Sequence, residues 1–211
     1  MKAPTIREMA LAGGLLMGFA VAGTAIVAFV HQRTAERIAA NEAAATRALI
    51  HEIVPAGSYD NDVVTDTVTI TAPEALGSDD PLPVYRARRD GQPVAAVMTV
   101  VAPDGYNGAI KLLVGVRDNG TVAGVRVVRH QETPGLGDGI EAARSDWITQ
   151  FRGRSLQRPQ PRQWRVAKDG GTFDQLTGAT ITSRAVVRAV REALVYFRSH
   201  RQALFARKRT D

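Results

Sequence analysis

The chain has 211 residues, 45% hydrophobic and 23% charged, with a net charge of +6, no cysteine and four histidines. The lack of cysteine removes disulfides, thiolate zinc sites, iron–sulfur ligation and thiol nucleophiles together, and His31, His51, His130 and His200 show no HxH or HExxH spacing, so no metal site is expected. Much of the basic excess lies between Arg184 and Arg209; without a zinc-finger, RNA-binding or aromatic-interleaved pattern it implies no nucleic-acid partner, and it suits anionic lipid equally well.

In chain order, a short leading segment (residues 1–8) precedes an uncharged apolar run, residues 9–30. At ~1.5 Å rise per residue that run spans about 33 Å, enough to cross the hydrocarbon core of a membrane. It exceeds the ~7–15 apolar residues of a signal peptide. Ala20-Val21-Ala22 does offer a small-x-small triplet, but a retained transmembrane helix is the expectation. Gly14 and Gly18 give a small-xxx-small face suited to helix packing, although glycine is common in such spans in any case. Lys2 and Arg7 on one flank and Arg33 and Arg37 on the other leave the positive-inside rule close to a tie.

Residues 31–55 are rich in Ala, Glu and Arg and predict a helical stalk, stopped by Pro55-Ala56-Gly57. Residues 56–200 are long enough for one domain with its own core. Strands are predicted over residues 68–71, 84–88, 93–101, 110–116 and 122–128, with hairpin signals at Asp90-Gly91 and Asn119-Gly120. Short turns between successive strands argue an antiparallel sheet. A helix is predicted over 140–150, with Ala142, Ala143, Trp147 and Ile148. A stronger one follows over 180–205, where Val187, Val190, Leu194 and Phe197 make an apolar stripe and Arg184, Arg188 and Arg191 occupy another face. Residues 201–211 are a basic tail. The element order is that of an α+β domain: an antiparallel sheet flanked by helices.

Two segments carry the candidate chemistry. Glu132-Thr133-Pro134-Gly135-Leu136-Gly137 joins a strand to a helix, and its Pro and Gly residues impose a tight loop whose amides can approach a flat ligand or an anion. An ordinary turn would look the same. Asp174, Thr177, Gly178, Ala179 and Thr180 lead into the last helix. Thr177, Thr180, Thr182 and Ser183 are all N-cap types, so the segment reads as a capped helix start or as a phosphate site at a helix N-terminus, with Arg184 one turn on to add charge. GxxxxGK[ST], GxGxxG and GxSxG are absent. Glu132, Asp138 and Glu141 cluster near the first loop, where a hydrolase pair is conceivable but clustered carboxylates are more often solvated.

ETPGLG at residues 132–137 and DQLTGAT at residues 174–180 resemble the FMN-binding domain of the G subunit of the Rnf/Rsx electron transport complex, itself similar to the C subunit of the sodium-pumping NADH:quinone reductase. The resemblance extends to the N-terminal anchor, VPAGSYDND after the stalk, APDGYNGAIKLLVGV at 102–116, SDWITQF at 145–151 and KDGGTFDQLTGATIT at 168–182. It implies one FMN per chain, joined covalently through its phosphate to Thr180. Asp174, Thr177, Gly178 and Ala179 would shape the tether site, and the 132–137 loop would hold the flavin ring with Leu136 in apolar contact. It also implies maturation by a flavin transferase using FAD, electron relay within a redox-driven ion-translocating complex, and the other subunits of that complex as partners. No residue is expected to act as a general base. The implied setting is a bacterial inner membrane, with the N-terminus cytoplasmic and the domain periplasmic. The competing expectations are a flavin-free assembly subunit and an extracytoplasmic hydrolase.

Overall fold

The computed structural model describes residues 5–206; Lys2 at one end and residues 207–211 of the basic tail lie outside them. The chain divides into two units, with the boundary between Ala45 and Thr46.

Helix α1 (Ile6–Ile53) provides the first unit and runs on into the second. The apolar run lies within it, and so does the predicted stalk as far as Ile53, two residues short of its expected end. Its stretch Ile6–Ala35 is long and apolar enough to cross a membrane, with a mean hydropathy of 2.1. Leu15, Leu16, Met17, Phe19 and Val21 point outward all around it. A helix apolar on every side has no favourable interface with water and calls for an apolar surrounding.

The second unit is built on a five-stranded antiparallel meander: β1 (Thr67–Ile70), β2 (Leu82–Arg89), β3 (Gln92–Ala102), β4 (Ile110–Arg117) and β5 (Val122–Arg129), paired in sequence order. All five strands fall where apolar runs and turn signals predict them. Asp90 and Gly91, both at positive φ, close the β2–β3 hairpin, and the Asn119-Gly120 turn closes β4–β5.

Both faces of the sheet are buried. One carries Val84, Ala96, Met98, Leu112 and Val114 into the larger core, where α3 (Thr180–Phe205) covers them with Val186, Val190, Leu194 and Phe197. On the other, Ala87, Ala95, Val97, Leu113 and Ala123 receive Ile50 and Ile53 from the last turns of α1. Gly115 sits beneath Ile53, and a Cβ there would collide with the isoleucine side chain. The end of the predicted stalk is thus built into the domain rather than merely leading to it.

A short helix, α2 (Pro73–Leu76), packs beside α3. The helix predicted over 140–150 does not form. Short 3-10 helices at Gly137–Ile140 and Asp146–Phe151 replace it. Ser145 separates them: its hydroxyl donates to the Gly139 carbonyl and accepts from the Trp147 N–H, so it caps a new turn instead of continuing an old one. This bend swings Phe151 into a stack with Trp164 and Phe173, with ring centroids 4.7–6.4 Å apart, and Trp147 lies edge-on to Phe151 at 5.6 Å. Trp147 therefore serves the core margin.

Candidate functional site

The two motif segments meet at the N-terminus of α3. After β5 the chain turns at Thr133, whose carbonyl accepts from the amides of Leu136 (3.1 Å) and Gly137 (3.0 Å). The turn folds Glu132 inward, leaving it 4% exposed. Its Oε2 accepts from the Thr182 hydroxyl at 2.5 Å and its Oε1 from the Asn107 amide at 3.2 Å. The Glu132 amide donates to His130 Nδ1 at 3.0 Å, which leaves Nε2 as the protonated nitrogen facing Glu141 Oε1 at 2.7 Å. A buried carboxylate is tolerated only with such partners. Here they tie the loop, the β3–β4 turn and α3 together. Gly137 is required by this closeness, since a Cβ on it would stand 2.8 Å from Glu132 Cβ.

The second segment is held from behind. Asp174 accepts through its carbonyl from Trp147 Nε1 (2.6 Å) and donates through its amide to Gln150 Oε1 (2.8 Å), leaving its own side chain exposed. Gly178, at φ 78°, turns the chain so that Ala179 precedes the helix. A side chain at this glycine would be strained by that φ and would stand 3.0 Å from Leu136 Cδ2. Ser183 sends its hydroxyl to the Ala179 carbonyl (3.0 Å) and accepts from the Leu176 amide (3.0 Å).

The sequence offers four hydroxyl residues as possible caps, yet the N-cap of α3 is Ala179, with no side-chain cap bond. Thr182 and Ser183 lie inside the helix, fully buried, with their hydroxyls engaged. Thr177 is exposed, and Thr180 is half-buried and forms no side-chain hydrogen bond among the described residues. The amides of Thr180, Ile181 and Thr182 have no partner there either, so the helix presents uncapped N–H groups and its positive dipole end.

These groups open on a cavity of about 510 Å³ lined by Glu132, Thr133, Leu136, Gly137, Gly178, Ala179 and Thr180, together with Tyr106, Lys168, Ile181 and Thr182. Its size falls within the ~300–1,000 Å³ range of small-molecule sites. Tyr106 (64% exposed), Leu136 (48%) and Ile181 (48%) give it an apolar, solvent-facing rim. An aromatic ring system with a phosphate fits this donor set: apolar side chains for the ring, free helix amides and Lys168 for the anion.

Seven of the site residues expected from sequence thus line one cavity. Pro134, Gly135, Asp174 and Thr177 do not line it. Tyr106, Lys168 and Ile181 were not singled out by sequence, since nothing in their local pattern sets them apart; their only signal is that they fall within the stretches that carry the resemblance. Arg184, expected beside Thr180, is turned away. It forms a bidentate pair with Asp169 (both contacts 2.6 Å), whose carboxyl is held below its ordinary range chiefly by that hydrogen bond, and it lines a different cavity. Lys168 is the cation on the Thr180 side. The hydrolase pair finds no geometry: of the three carboxylates only Glu132 lines the cavity, Glu141 faces His130, and Asp138 lies 3.8 Å from Arg144.

The FMN-binding domain family matches residues 105–195, and the RnfG N-terminal region family matches residues 1–53. The chain is 53% identical over 208 residues to the G subunit of the ion-translocating oxidoreductase complex of Pseudomonas aeruginosa (strain UCBPP-PA14), covering 98% of this chain and 96% of that protein. It is 46% identical over 194 residues to the protein of the same description from Shewanella oneidensis (strain MR-1), covering 92% of each. The corresponding G subunit of Vibrio atlanticus (strain LGP32) is 44% identical over 194 residues, again covering 92% of each.

Proposed function

Because the chain belongs to the family of G subunits of the ion-translocating oxidoreductase complex and carries an FMN-binding domain, we propose that Thr180 holds one FMN as a phosphoester and that the chain relays electrons within a membrane-bound complex of that kind. One observation carries the assignment. Of the four hydroxyl residues between Thr177 and Ser183, Thr180 alone both lines the cavity and keeps its oxygen free of internal bonds. A hydroxyl that must form a bond to phosphorus has to be reachable, and those of Thr182 and Ser183 are buried.

Attachment from FAD balances simply: the Thr180 Oγ–P bond forms, the pyrophosphate bond breaks, AMP leaves, and the hydroxyl proton passes to a base of the flavin transferase. The exposed Asp174 and Thr177, outside the cavity, are available to that enzyme. Once attached, the flavin supplies one- or two-electron exchange. The chain's residues hold and shield it. The free amides at the start of α3 and Lys168 offset the phosphate charge. Tyr106, Leu136 and Ile181 cover apolar ring surface, and the Glu132 network fixes the loop carrying Leu136. No residue transfers a proton to a substrate, and none is assigned as catalytic.

In this reading the apolar helix anchors the chain in the bacterial inner membrane, residues 1–8 lie in the cytoplasm, residues 31–55 form the stalk, and residues 56–200 work in the periplasm beside the other subunits. Protease added to spheroplasts is expected to cut the domain and spare the N-terminus.

The decisive experiment co-expresses the chain with a flavin transferase. The denatured protein is expected to stay yellow and to weigh its polypeptide mass plus one FMN less one water. Thr180→Ser is expected to retain flavin and Thr180→Val to lose it. A native protein of bare polypeptide mass would point to the flavin-free assembly subunit. A yellow Thr180→Val protein would move the acceptor elsewhere.

A further inference from the structure

Away from the Thr180 cavity, α3 carries Arg184, Arg188, Arg191 and Arg198 along one face, interrupted only by the exposed Val195. The spacings of four, three, four and three residues make this a single stripe, about 21 Å long at ~1.5 Å per residue. Arginines at i, i+3 and i+4 repel one another and weaken a helix. Opposite the stripe runs the segment with Arg162 and Arg165. Two cavities of about 330 and 300 Å³ lie between them and share Arg165 and Arg191, so the space is one continuous groove.

The chain only partly neutralises this groove. Arg184 pairs with Asp169, Arg188 with Asp104 and Arg191 with its neighbour Glu192. Arg162, Arg165 and Arg198 have no carboxylate partner among the described residues. Residues 152–201 carry eleven Lys and Arg against three Asp and Glu, while the whole chain has a net charge of only +6. The groove itself is lined by six arginines against one carboxylate, Asp169. Leu156, Pro161 and Val195 line the groove between the guanidinium groups, giving it apolar contact as well as charge.

We propose that this groove docks an acidic, extended polypeptide segment belonging to another subunit of the complex. Guanidinium groups favour planar, bidentate carboxylate recognition. A segment of about six or seven residues, at ~3.3 Å each, spans the stripe. A free anion would occupy one arginine pair and leave the rest of the length unmatched. The partner's identity as a subunit rests on the function proposed above; the acidic chemistry does not. Arg184 stands one turn beyond Thr180, and its partner Asp169 adjoins Lys168, so a segment seated here is held beside the flavin tether without covering the cavity mouth.

The test uses the full-length, flavin-loaded chain in neutral detergent and a labelled ten-residue oligoglutamate peptide. The wild type is expected to bind it, and a variant combining R162Q, R165Q, R191Q and R198Q to bind about tenfold more weakly or worse. A variant of equal net charge combining R129Q, R144Q, R152Q and R154Q is expected to bind as the wild type does. Binding should weaken as salt rises. In cells, a photo-reactive residue in place of Val195 is expected to form adducts with a Glu/Asp-rich peptide of another subunit. The proposal fails if both variants weaken binding equally, if phosphatidylglycerol vesicles or inorganic phosphate are held and oligoglutamate is not, or if the adducts are on phospholipid. Covalent flavin, measured in the same samples, is expected to be unchanged. In the wild type, absent flavin with peptide binding intact strikes at the Thr180 reading, and bound flavin with no peptide binding strikes at the groove.

Discussion

The loop of Glu132 and the segment of Thr180 are both short, glycine-bearing and set at the mouth of α3, yet they dispose of their polar groups in opposite ways. The first turns its carboxylate inward, and both carboxylate oxygens are bonded within the fold. The second leaves a hydroxyl and three helix amides without internal partners. A protein seldom leaves buried or half-buried polar groups unsatisfied. One segment therefore reads as a brace and the other as a receptor for something outside the polypeptide. If so, substitutions in the brace should affect folding stability first, and substitutions at the receptor should affect cofactor loading alone.

The largest effect is expected from Glu132→Ala. It leaves the buried Thr182 hydroxyl without an acceptor, removes the bond to the amide of the exposed Asn107 and opens a void beneath the loop, a combination worth about 3–4 kcal/mol. Trp147 and Trp164 border the aromatic cluster and report unfolding by fluorescence in a denaturant titration of the full chain. A loss under about 1 kcal/mol would mean that the loop is not a brace. Gly137→Ala comes next, since its Cβ must push Glu132 aside; overpacking of this kind costs about 1–3 kcal/mol. Thr182→Val removes one of the two hydrogen bonds to the buried carboxylate while keeping the side-chain volume, and should cost about 1–2 kcal/mol. If Thr182→Val were as damaging as Glu132→Ala, the carboxylate's other bond, to Asn107, would carry no weight.

Much of this arrangement is legible in the sequence alone. Runs of Val, Ala and Leu between Asp-Gly and Asn-Gly turns announce the strands, and the central runs are nearly continuous because both sheet faces are buried. Helix α3 is equally plain, beginning at Thr180 and ending at Phe205. The misreadings share a physical cause, in that side-chain bonds outcompeted local pattern. Ser145 converts a helical stretch into two tight turns by bonding backbone groups on either side. Four hydroxyl residues looked like caps, yet Thr182 was taken by a carboxylate fifty positions earlier. Arg184 was drawn to Asp169 and away from the helix mouth. Periodicity cannot encode such pairings, because each depends on where the sheet brings remote residues together. Tyr106 and Lys168 reach the cavity by the same route, from a strand turn and a loop.

The smallest stability change and the sharpest functional one are expected at the same residue. Thr180 occupies the first position of α3, half-buried, with no side-chain hydrogen bond to lose. Valine has the same shape and nearly the same helix propensity as threonine, so Thr180→Val should unfold within about 0.5 kcal/mol of the parent when both are compared without flavin. Covalent flavin, by contrast, should fall from one per chain to none. Thr182→Val should show the reverse, a destabilised domain that still retains its flavin. The pair of variants separates a hydroxyl that holds the fold together from a hydroxyl kept free for chemistry. Were Thr180→Val to destabilise the flavin-free domain as much as Thr182→Val does, the free oxygen would be a hidden structural bond, and the division of labour between the two segments would not hold.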